Sequence, residues 1–177
     1  MMVAYLIGYM CSGKTTLGSM LKEIAGVKFT DLDQYIEEKE GLSINQIFAL
    51  KGEEEFRNIE RNALHEVTDN IGGVIATGGG TPCFFDNMEY MKSNGDVIYL
   101  NCSRGELLER LKIYKSTRPL LKDKNDDELK EFIENSLPKR EPFYSKASII
   151  MDADTLSTEE GALDTAKRVI EIITLST

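Results

Sequence analysis

Short apolar runs alternate along the chain with longer stretches in which apolar residues recur at helical spacing. The apolar runs predict strands at 3–7, 27–30, 73–76, 97–100 and 148–151. Each run is brief and almost uniformly apolar, which is typical of strands buried on both faces of a parallel sheet.

The intervening stretches predict helices at 14–24, 32–40, 43–50, 53–68, 84–92, 104–111, 126–136 and 158–173. Ser43 and Thr158 are predicted N-caps, and Glu159 and Glu160 directly after Thr158 suit the positive end of a helix dipole. This alternation of strands and helices indicates an α/β fold with a parallel sheet covered by helices on both faces.

Two segments interrupt the alternation. Three helical stretches, within 32–68, separate the second and third strands, which is more than a crossover needs. Residues 112–124 are polar, contain four lysines and Arg118, and show no periodicity. A loop of this kind in a small α/β domain is usually functional, so we expect a lid, with a mobile surface loop as the alternative.

Length and composition narrow the class of protein. The chain has 177 residues and a mass of 19.9 kDa, so we expect one domain spanning 1–177 and a monomer. Its net charge of −9 disfavours nucleic-acid binding. The chain has neither a membrane-length apolar run nor a charged segment before the first strand, which predicts a cytoplasmic protein without a membrane partner. Three dispersed cysteines and a single histidine, His65, argue against disulfides, a zinc site and a histidine-based triad.

The segment after the first strand carries the most specific motif. Residues 8–15, GYMCSGKT, match the phosphate-binding P-loop pattern G-x-x-x-x-G-K-[ST]. Gly8 and Gly13 allow the backbone N–H groups to converge on phosphates, Lys14 supplies a positive charge, and the Thr15 hydroxyl suits magnesium. The following helix adds its positive end. Strand before and helix after are the context that this motif requires, so ATP and Mg²⁺ are the expected ligands.

Two carboxylates follow the second predicted strand. Asp31 and Asp33 are placed where doubly wound sheets bind ligands, beyond the carboxyl ends of the strands. One carboxylate can hold magnesium through water, and the other can accept a proton from an attacking hydroxyl. The alternative for Asp33 is a simple helix N-cap.

Arginines and a glycine triplet complete the candidate chemistry. Arg57 and Glu60 share a helix face, and the alternative for them is a solvated ion pair. Arg118 and Arg140 have surface positions as their alternatives. Three glycines, Gly78, Gly79 and Gly80, follow the third strand directly and allow a ligand to approach the backbone closely.

Taken in order, these motifs resemble the shikimate kinase family over nearly the whole chain. The matching blocks are the P-loop, 31–33 (DLD), 52–60 with Arg57 and Glu60, 78–80 (GGG), 118–121 (RPLL), and Arg140 before 142–144 (PFY). The resemblance implies a P-loop kinase fold like that of nucleoside monophosphate kinases, with a five-stranded parallel sheet. It also implies transfer of the ATP γ-phosphoryl group to the 3-hydroxyl of shikimate, in aromatic amino acid biosynthesis.

The resemblance further implies roles for individual residues. Cys11, Ser12, Gly13, Lys14, Thr15 and Thr16 would bind ATP, with Thr15 a direct magnesium ligand and Asp31 a water-mediated one. Asp33 would bind the shikimate hydroxyls and would either act as the base or orient the reacting hydroxyl. Arg57 and Arg140 would hold the carboxylate beside Gly78, Gly79 and Gly80. Arg118 would reach the phosphates from the lid, and Arg110 is similar to the arginine that lies against adenine. The segment 152–160 lacks the basic residue that some family members carry there.

Four other readings compete with this one. A small GTPase is disfavoured because the D-x-x-G match at 69–72 follows a helix and no N-K-x-D is present. A nucleoside monophosphate kinase would need a different acceptor pocket, and a gluconate kinase would lack the Arg57 and Arg118 blocks. A non-catalytic binding module would not need every part that phosphoryl transfer uses.

Overall fold

A five-stranded, entirely parallel sheet forms the centre of the molecule, in the order β2-β3-β1-β4-β5. The computed structural model describes residues 3–117 and 121–175. The strands are β1 (Val3–Ile7), β2 (Phe29–Asp31), β3 (Gly73–Ala76), β4 (Asp96–Asn101) and β5 (Ile149–Asp152). The predicted fold class, a parallel sheet flanked by helices, is confirmed.

Helices connect the strands and cover the sheet. They are α1 (Lys14–Ala25), α2 (Leu32–Glu40), α3 (Ile44–Asn70), α4 (Asn87–Asn94), α5 (Arg104–Tyr114), α6 (Asp126–Tyr144) and α7 (Glu159–Leu175). Short 3-10 turns occupy Thr81–Cys83, Lys115–Thr117 and Asp154–Ser157. No helix in the described ranges is long and apolar enough to cross a bilayer.

Strand β1 lies in the middle of the sheet, between β3 and β4, and all five of its residues are buried. Because every strand runs in the same direction, the carboxyl ends of β1, β2 and β3 meet at one edge. The P-loop, the carboxylate pair and the glycine triplet each follow one of these ends. The topology therefore brings three distant sequence motifs together.

Helix α3 contains a break at Gly52, between the two separate helices, 43–50 and 53–68, that the sequence predicts. Gly52 has φ 81° and ψ 172°, which is far from helical geometry. A capping box closes the start of α3, since the Ser43 side chain accepts from Gln46 N–H and the Gln46 side chain accepts from Ser43 N–H. The predicted cap at Thr158 is also confirmed, because its Oγ1 accepts from Gly161 N–H at 3.1 Å.

Several predicted boundaries are wrong. β2 begins at Phe29 rather than at residue 27. α4 begins at Asn87 rather than at residue 84, because Phe85 has a left-handed φ of 50°. α6 continues past residue 136 to Tyr144 through Pro138 and Pro142, which both lie on its exposed side. Water can satisfy the carbonyls that these prolines leave without an N–H partner, so the helix persists.

The predicted lid, 112–124, is more ordered at its start than the sequence indicated. α5 extends to Tyr114, and the Lys115–Thr117 turn follows it. Lys112 contacts Asp126 at 3.2 Å, and Lys115 donates to Lys124 O at 2.8 Å, so both ends of the segment are held together. Leu121, near the end of the segment, is buried. Arg118 lies outside the described residues.

Candidate active site

The P-loop wraps the end of β1 in backbone conformations that need glycine. Gly8 and Gly13 have φ values of 148° and 100°. A Cβ on Gly8 would lie 2.8 Å from Ser12 Oγ and 2.9 Å from Leu100 O, so no side chain fits there. Cys11 also has a positive φ, 61°, which marks the sharp turn of the loop. The loop therefore forms the concave backbone that the motif predicted.

Lys14 extends back over this loop. Its Nζ donates to Gly8 O and Tyr9 O, each at 2.9 Å. The side chain also lines the cavity in front of the loop. These contacts fix a positive charge beside the converging N–H groups, where the charges of a phosphate chain are best stabilised.

Thr15 and Asp31 are directly linked across the ends of β1 and β2. The Thr15 hydroxyl donates to Asp31 Oδ2 at 2.7 Å. Asp31 Oδ1 accepts from Asp33 N–H and Gln34 N–H, so Asp31 is the N-cap of α2. The capping alternative considered for Asp33 therefore belongs to Asp31. The two side chains present oxygen donors, which magnesium prefers.

Asp33 lies on the first turn of α2 and faces the end of β3. Its Oδ1 would lie 2.9 Å from a Cβ placed on Gly78. Both residues line the same cavity as Lys14 and Thr15. The carboxylate predicted to accept a proton thus stands at the boundary between the P-loop and the glycine triplet.

Each glycine of the triplet lies against one of the charged residues predicted to bind the acceptor substrate. A Cβ on Gly79 would lie 3.0 Å from Arg140 Nη1, and one on Gly80 would lie 2.8 Å from Arg57 Nη2. Since Asp33 stands against Gly78, the triplet gives access to three charged side chains in succession. At Gly80, glycine is required by space and not by conformation, because the residue has an ordinary φ of −90°.

Glu60 is a site residue whose role the sequence analysis left open. It is 1% exposed, so the Arg57–Glu60 pair is not a solvated surface pair. Glu60 Oε2 accepts from Arg57 Nη1 at 2.7 Å, and Oε1 accepts from Thr81 Oγ1 at 2.6 Å. The helical spacing of Arg57 and Glu60 was the available signal. The contact with Thr81 required the fold.

One stripe of α6 joins the P-loop to the triplet. Ser136, Arg140 and Tyr144 are spaced four residues apart and therefore share a helix face. Ser136 Oγ is 2.5 Å from Tyr9 Oη, the Arg140 guanidinium lies 5.4 Å from the Tyr9 ring centre, and Tyr144 donates to Gly79 O at 2.6 Å. Burial raises the pKa of Tyr144, so its hydroxyl stays protonated and keeps donating.

Cys83 follows the triplet but does not add a nucleophile. Burial raises the pKa of its thiol, although Arg140 and Arg57 favour the thiolate. The protonated thiol is a poor nucleophile at neutral pH. The chemistry of the site therefore rests on carboxylates, guanidiniums, Lys14 and hydroxyls.

Arg110 fastens the outer wall of the cavity. Its guanidinium donates to Cys11 O at 3.2 Å, to Ala153 O at 2.7 Å and to Asp154 O at 3.0 Å, and its Nε donates to Glu106 at 2.8 Å. The residue is only 7% exposed. Arg110 thus ties the P-loop to the loop after β5, a role that its sequence position did not indicate. It still lines the cavity, as the predicted adenine contact requires.

A single cavity of about 560 Å³ spans these elements. Its lining includes P-loop residues and Thr16 at one end and Asp33, Gly78 and Gly79 at the other. No cluster of three or more acidic, cysteine or histidine side chains suited to a metal is found among the described residues. Predicted residues of both sets, among them Lys14, Thr15, Asp33 and Gly79, therefore line one shared cavity. Its lining does not include Ser12, Gly80, Arg57 or Arg140, although Arg140 lies against Gly79 and Arg57 against Gly80.

Comparison with known proteins points to one family. The shikimate kinase family model matches residues 10–173. Shikimate kinase from Parabacteroides distasonis is 50% identical over 169 residues, covering 96% of this chain and 98% of that protein. The crystal structure of shikimate kinase from Bacteroides thetaiotaomicron superposes with a TM-score of 0.93 at 44% identity, covering 98% of each chain. Shikimate kinase from Acinetobacter baumannii in complex with shikimate gives 0.81 at 33% identity, covering 100% of this chain and 95% of that one.

Proposed function

The chain belongs to the shikimate kinase family, and from that premise we propose that its cavity transfers the γ-phosphoryl group of ATP to the 3-hydroxyl of shikimate. The products are shikimate 3-phosphate and ADP. One observation carries the assignment of residues: Asp33, Arg140 and Arg57 meet Gly78, Gly79 and Gly80 in turn, directly beside the P-loop. A small hydroxy-acid needs both a carboxylate clamp and a proton acceptor, and this wall offers both.

The P-loop end of the cavity is suited to the nucleotide. Backbone N–H groups of the cavity-lining residues within 11–16 and the Lys14 ammonium would bind the phosphates, leaving Asp33 toward the acceptor. The Ser12 N–H instead donates to Tyr9 O within the loop. Thr15 and Asp31 would hold Mg²⁺, because their oxygens are already 2.7 Å apart and both line the cavity. The ion would neutralise charge on the phosphates.

At the other end, Arg57 and Arg140 would hold the shikimate carboxylate. Guanidinium groups bind carboxylates through two parallel N–H···O bonds, which fix orientation as well as position. With the acceptor held in this way, Asp33 takes the proton of the 3-hydroxyl. At the same time, the oxygen of that hydroxyl forms a bond to the γ-phosphorus. The bond from that phosphorus to the β–γ bridging oxygen breaks, and ADP leaves with the bond's electron pair.

The direct test is ATP turnover with shikimate, gluconate and a nucleoside monophosphate as acceptors. We expect phosphate transfer to shikimate alone, with the product identified by mass and by its phosphorus NMR signal. Turnover with gluconate or a nucleoside monophosphate, and not with shikimate, would overturn the assignment. Omitting Mg²⁺ should abolish transfer, and Arg118→Ala tests the predicted role of that residue in the same assay.

A further inference from the structure

Arg57 lies against an aromatic ring that is far from it in sequence. Its Cζ is 4.0 Å from the centre of the Phe84 ring, closer than it is to Phe56 at 5.0 Å or to Phe48 at 5.8 Å. A guanidinium this close to a ring centre is attracted by the electron-rich face of the ring. The ring therefore bears directly on the side chain that would clamp the acceptor.

Few other contacts fix the plane of this guanidinium. Nη1 donates to Glu60, Nη2 has only a long 3.5 Å contact with Glu53, and Nε is buried without a hydrogen-bond partner in the described ranges. With only one strong hydrogen bond, from Nη1 to Glu60, the guanidinium plane can still rotate about the axis of that bond. The Phe84 ring is a flat surface that restricts that rotation.

The loop that delivers Phe84 adopts a strained backbone. Phe85 has φ 50°, which is rare for an aromatic residue, and its side chain is 54% exposed. Its ring lies 5.3 Å from the guanidinium of Arg61, which pairs with Asp86 at 2.8 Å. Arg57 and Arg61 are one turn apart on α3. The adjacent rings of Phe84 and Phe85 therefore each lie against one of these two arginines. Strain of this kind persists only where the surroundings hold it.

The base of the loop is anchored independently of this strain. Asn87 is fully buried and donates from its side chain to Thr81 O at 2.9 Å, and its own N–H donates to Phe84 O at 3.3 Å. Thr81 in turn is bonded to Glu60, the partner of Arg57. The position of the Phe84 ring is thus set from the same network that holds Arg57.

We propose that Phe84 is a positioning residue for acceptor recognition: its ring sets the plane of the Arg57 guanidinium so that two N–H groups meet the acceptor carboxylate together. This inference rests on the proposed function. Phe84 acts through Arg57 and not through the nucleotide, so its effect should appear in the KM for shikimate. The KM for ATP and kcat should change by less than about twofold, since the ring's contact in the described part of the chain is with Arg57 and not with the P-loop.

The test compares wild type with Phe84→Leu and Phe84→Ala. Leucine keeps apolar bulk but removes the ring face, and we expect the KM for shikimate to rise about 5- to 30-fold, as for loss of a desolvated cation–ring contact. Phe84→Tyr should stay near wild type. Phe143→Leu is the matched control, because it removes a ring that lies 5.5 Å from Lys146, a cation with no proposed role in the site. Its KM values should be unchanged.

A second acceptor separates positioning from general loosening of the pocket. In the shikimate analogue whose carboxylate is replaced by a primary alcohol, Arg57 has no charged partner, so Phe84→Leu should raise its KM by less than about twofold. Equal increases for shikimate and the alcohol would overturn the proposal, as would a Phe84→Leu enzyme with wild-type KM. Absence of shikimate turnover in the wild type would instead refute the proposed function. Should Phe84→Ala fail to fold, thermal unfolding will show it, and Phe84→Leu decides the matter.

Discussion

Asp31 and Asp33, at the end of β2, have different contacts and therefore different expected roles. Asp31 caps α2 and contacts Thr15, whereas Asp33 faces Gly78. Asp33→Asn should lower kcat by roughly a hundredfold or more, because the amide cannot accept the hydroxyl proton. Asp31→Asn should instead raise the Mg²⁺ concentration needed for half-maximal rate. Steady-state kinetics over a Mg²⁺ series measures both, and an Asp33→Asn enzyme with near-normal kcat would remove Asp33 from the chemistry.

Gly80 is a residue where space alone can be tested. Its φ of −90° suits alanine, yet the added Cβ would lie 2.8 to 3.1 Å from the Arg57 guanidinium. Gly80→Ala should therefore displace Arg57 and raise the KM for shikimate about tenfold, the effect of losing one charged hydrogen-bonding partner. The KM for ATP should hold, and both constants come from initial rates.

Gly105 provides the control for that substitution. A Cβ there meets nothing within 4 Å, and the residue lies in the first turn of α5. Gly105→Ala should leave both KM values unchanged and stabilise the fold by about 0.5–1 kcal/mol through helix propensity. If Gly80→Ala likewise left the KM for shikimate unchanged, Arg57 would not be a carboxylate ligand in this position.

At the scale of elements, the break at Gly52 directs the second half of α3 toward the site. Its φ of 81° and ψ of 172° fall in a region essentially restricted to glycine, although a Cβ there meets no atom within 4 Å. Gly52→Ala should lower the free energy of unfolding by about 1–3 kcal/mol from backbone strain alone. Urea unfolding followed by circular dichroism measures the loss.

Asparagine distinguishes the break from an ordinary helix end. Gly41, after α2, has φ 66° and ψ 19°, a left-handed conformation that asparagine tolerates. Gly41→Asn should stay within about 0.5 kcal/mol of wild type, whereas Gly52→Asn should be as destabilised as Gly52→Ala. If Gly41→Asn and Gly52→Asn had equal free energies of unfolding, the backbone conformation at Gly52 would not require glycine.

Element positions were predictable where a local pattern decides them. The central strands β1, β3 and β4 could be located because buried parallel strands appear as short apolar runs. The caps at Ser43 and Thr158 follow from local hydrogen bonding. The end of α6 was not predictable, since Pro138 and Pro142 normally stop a helix and only their exposed positions allow it to continue. The late start of α4 follows from the backbone turn at Phe85, for which phenylalanine gives no signal.

On the scale of the whole molecule, Asp154 links the β4–α5 and β5–α7 connections. Its Oδ1 accepts from Ser103 N–H at 2.7 Å. Burial raises the pKa of Asp154, but hydrogen bonds from Ser103 and Cys102 and the charge of Arg110 outweigh burial and hold the pKa below its ordinary 3.8. A depressed pKa in the folded state contributes stability above the unfolded pKa, and this contribution is lost as the pH falls below 3.8.

Asp154→Asn should therefore lower the free energy of unfolding by on the order of 1 kcal/mol near neutral pH. The difference from wild type should shrink as the pH falls through and below 3.8. Urea unfolding at about pH 7 and about pH 3.5 measures this, with exposed Asp164→Asn as the control, which should differ from wild type by less than about 0.5 kcal/mol at either pH. A gap for Asp154→Asn that widens in acid would contradict the assignment.

Much of the candidate site could be predicted because parallel topology places the ends of β1, β2 and β3 together. Contacts between separately packed helices could not. The clasp of Arg110 depends on where α5 lies relative to the P-loop, and the contact of Tyr9 with Ser136 joins residues 127 positions apart. Neither contact could be predicted from a motif, because the residues around Arg110 and Tyr9 in the sequence do not indicate which distant residue each one contacts. The single domain and the monomeric state stay predictions.

The central place of β1 has a consequence for synthesis on the ribosome. Its five apolar residues emerge first among the strands, yet their two neighbours in the sheet are residues 73–76 and 96–99. At about 5–20 residues per second, roughly 5 to 20 seconds pass before both neighbours have been translated. During that interval at least one edge of β1 lacks its strand partner, which makes the nascent chain a client for chaperones that cover apolar segments. The strand that supports the phosphate loop therefore precedes both of its sheet neighbours in synthesis, and it is paired on both edges only after β4 has been translated.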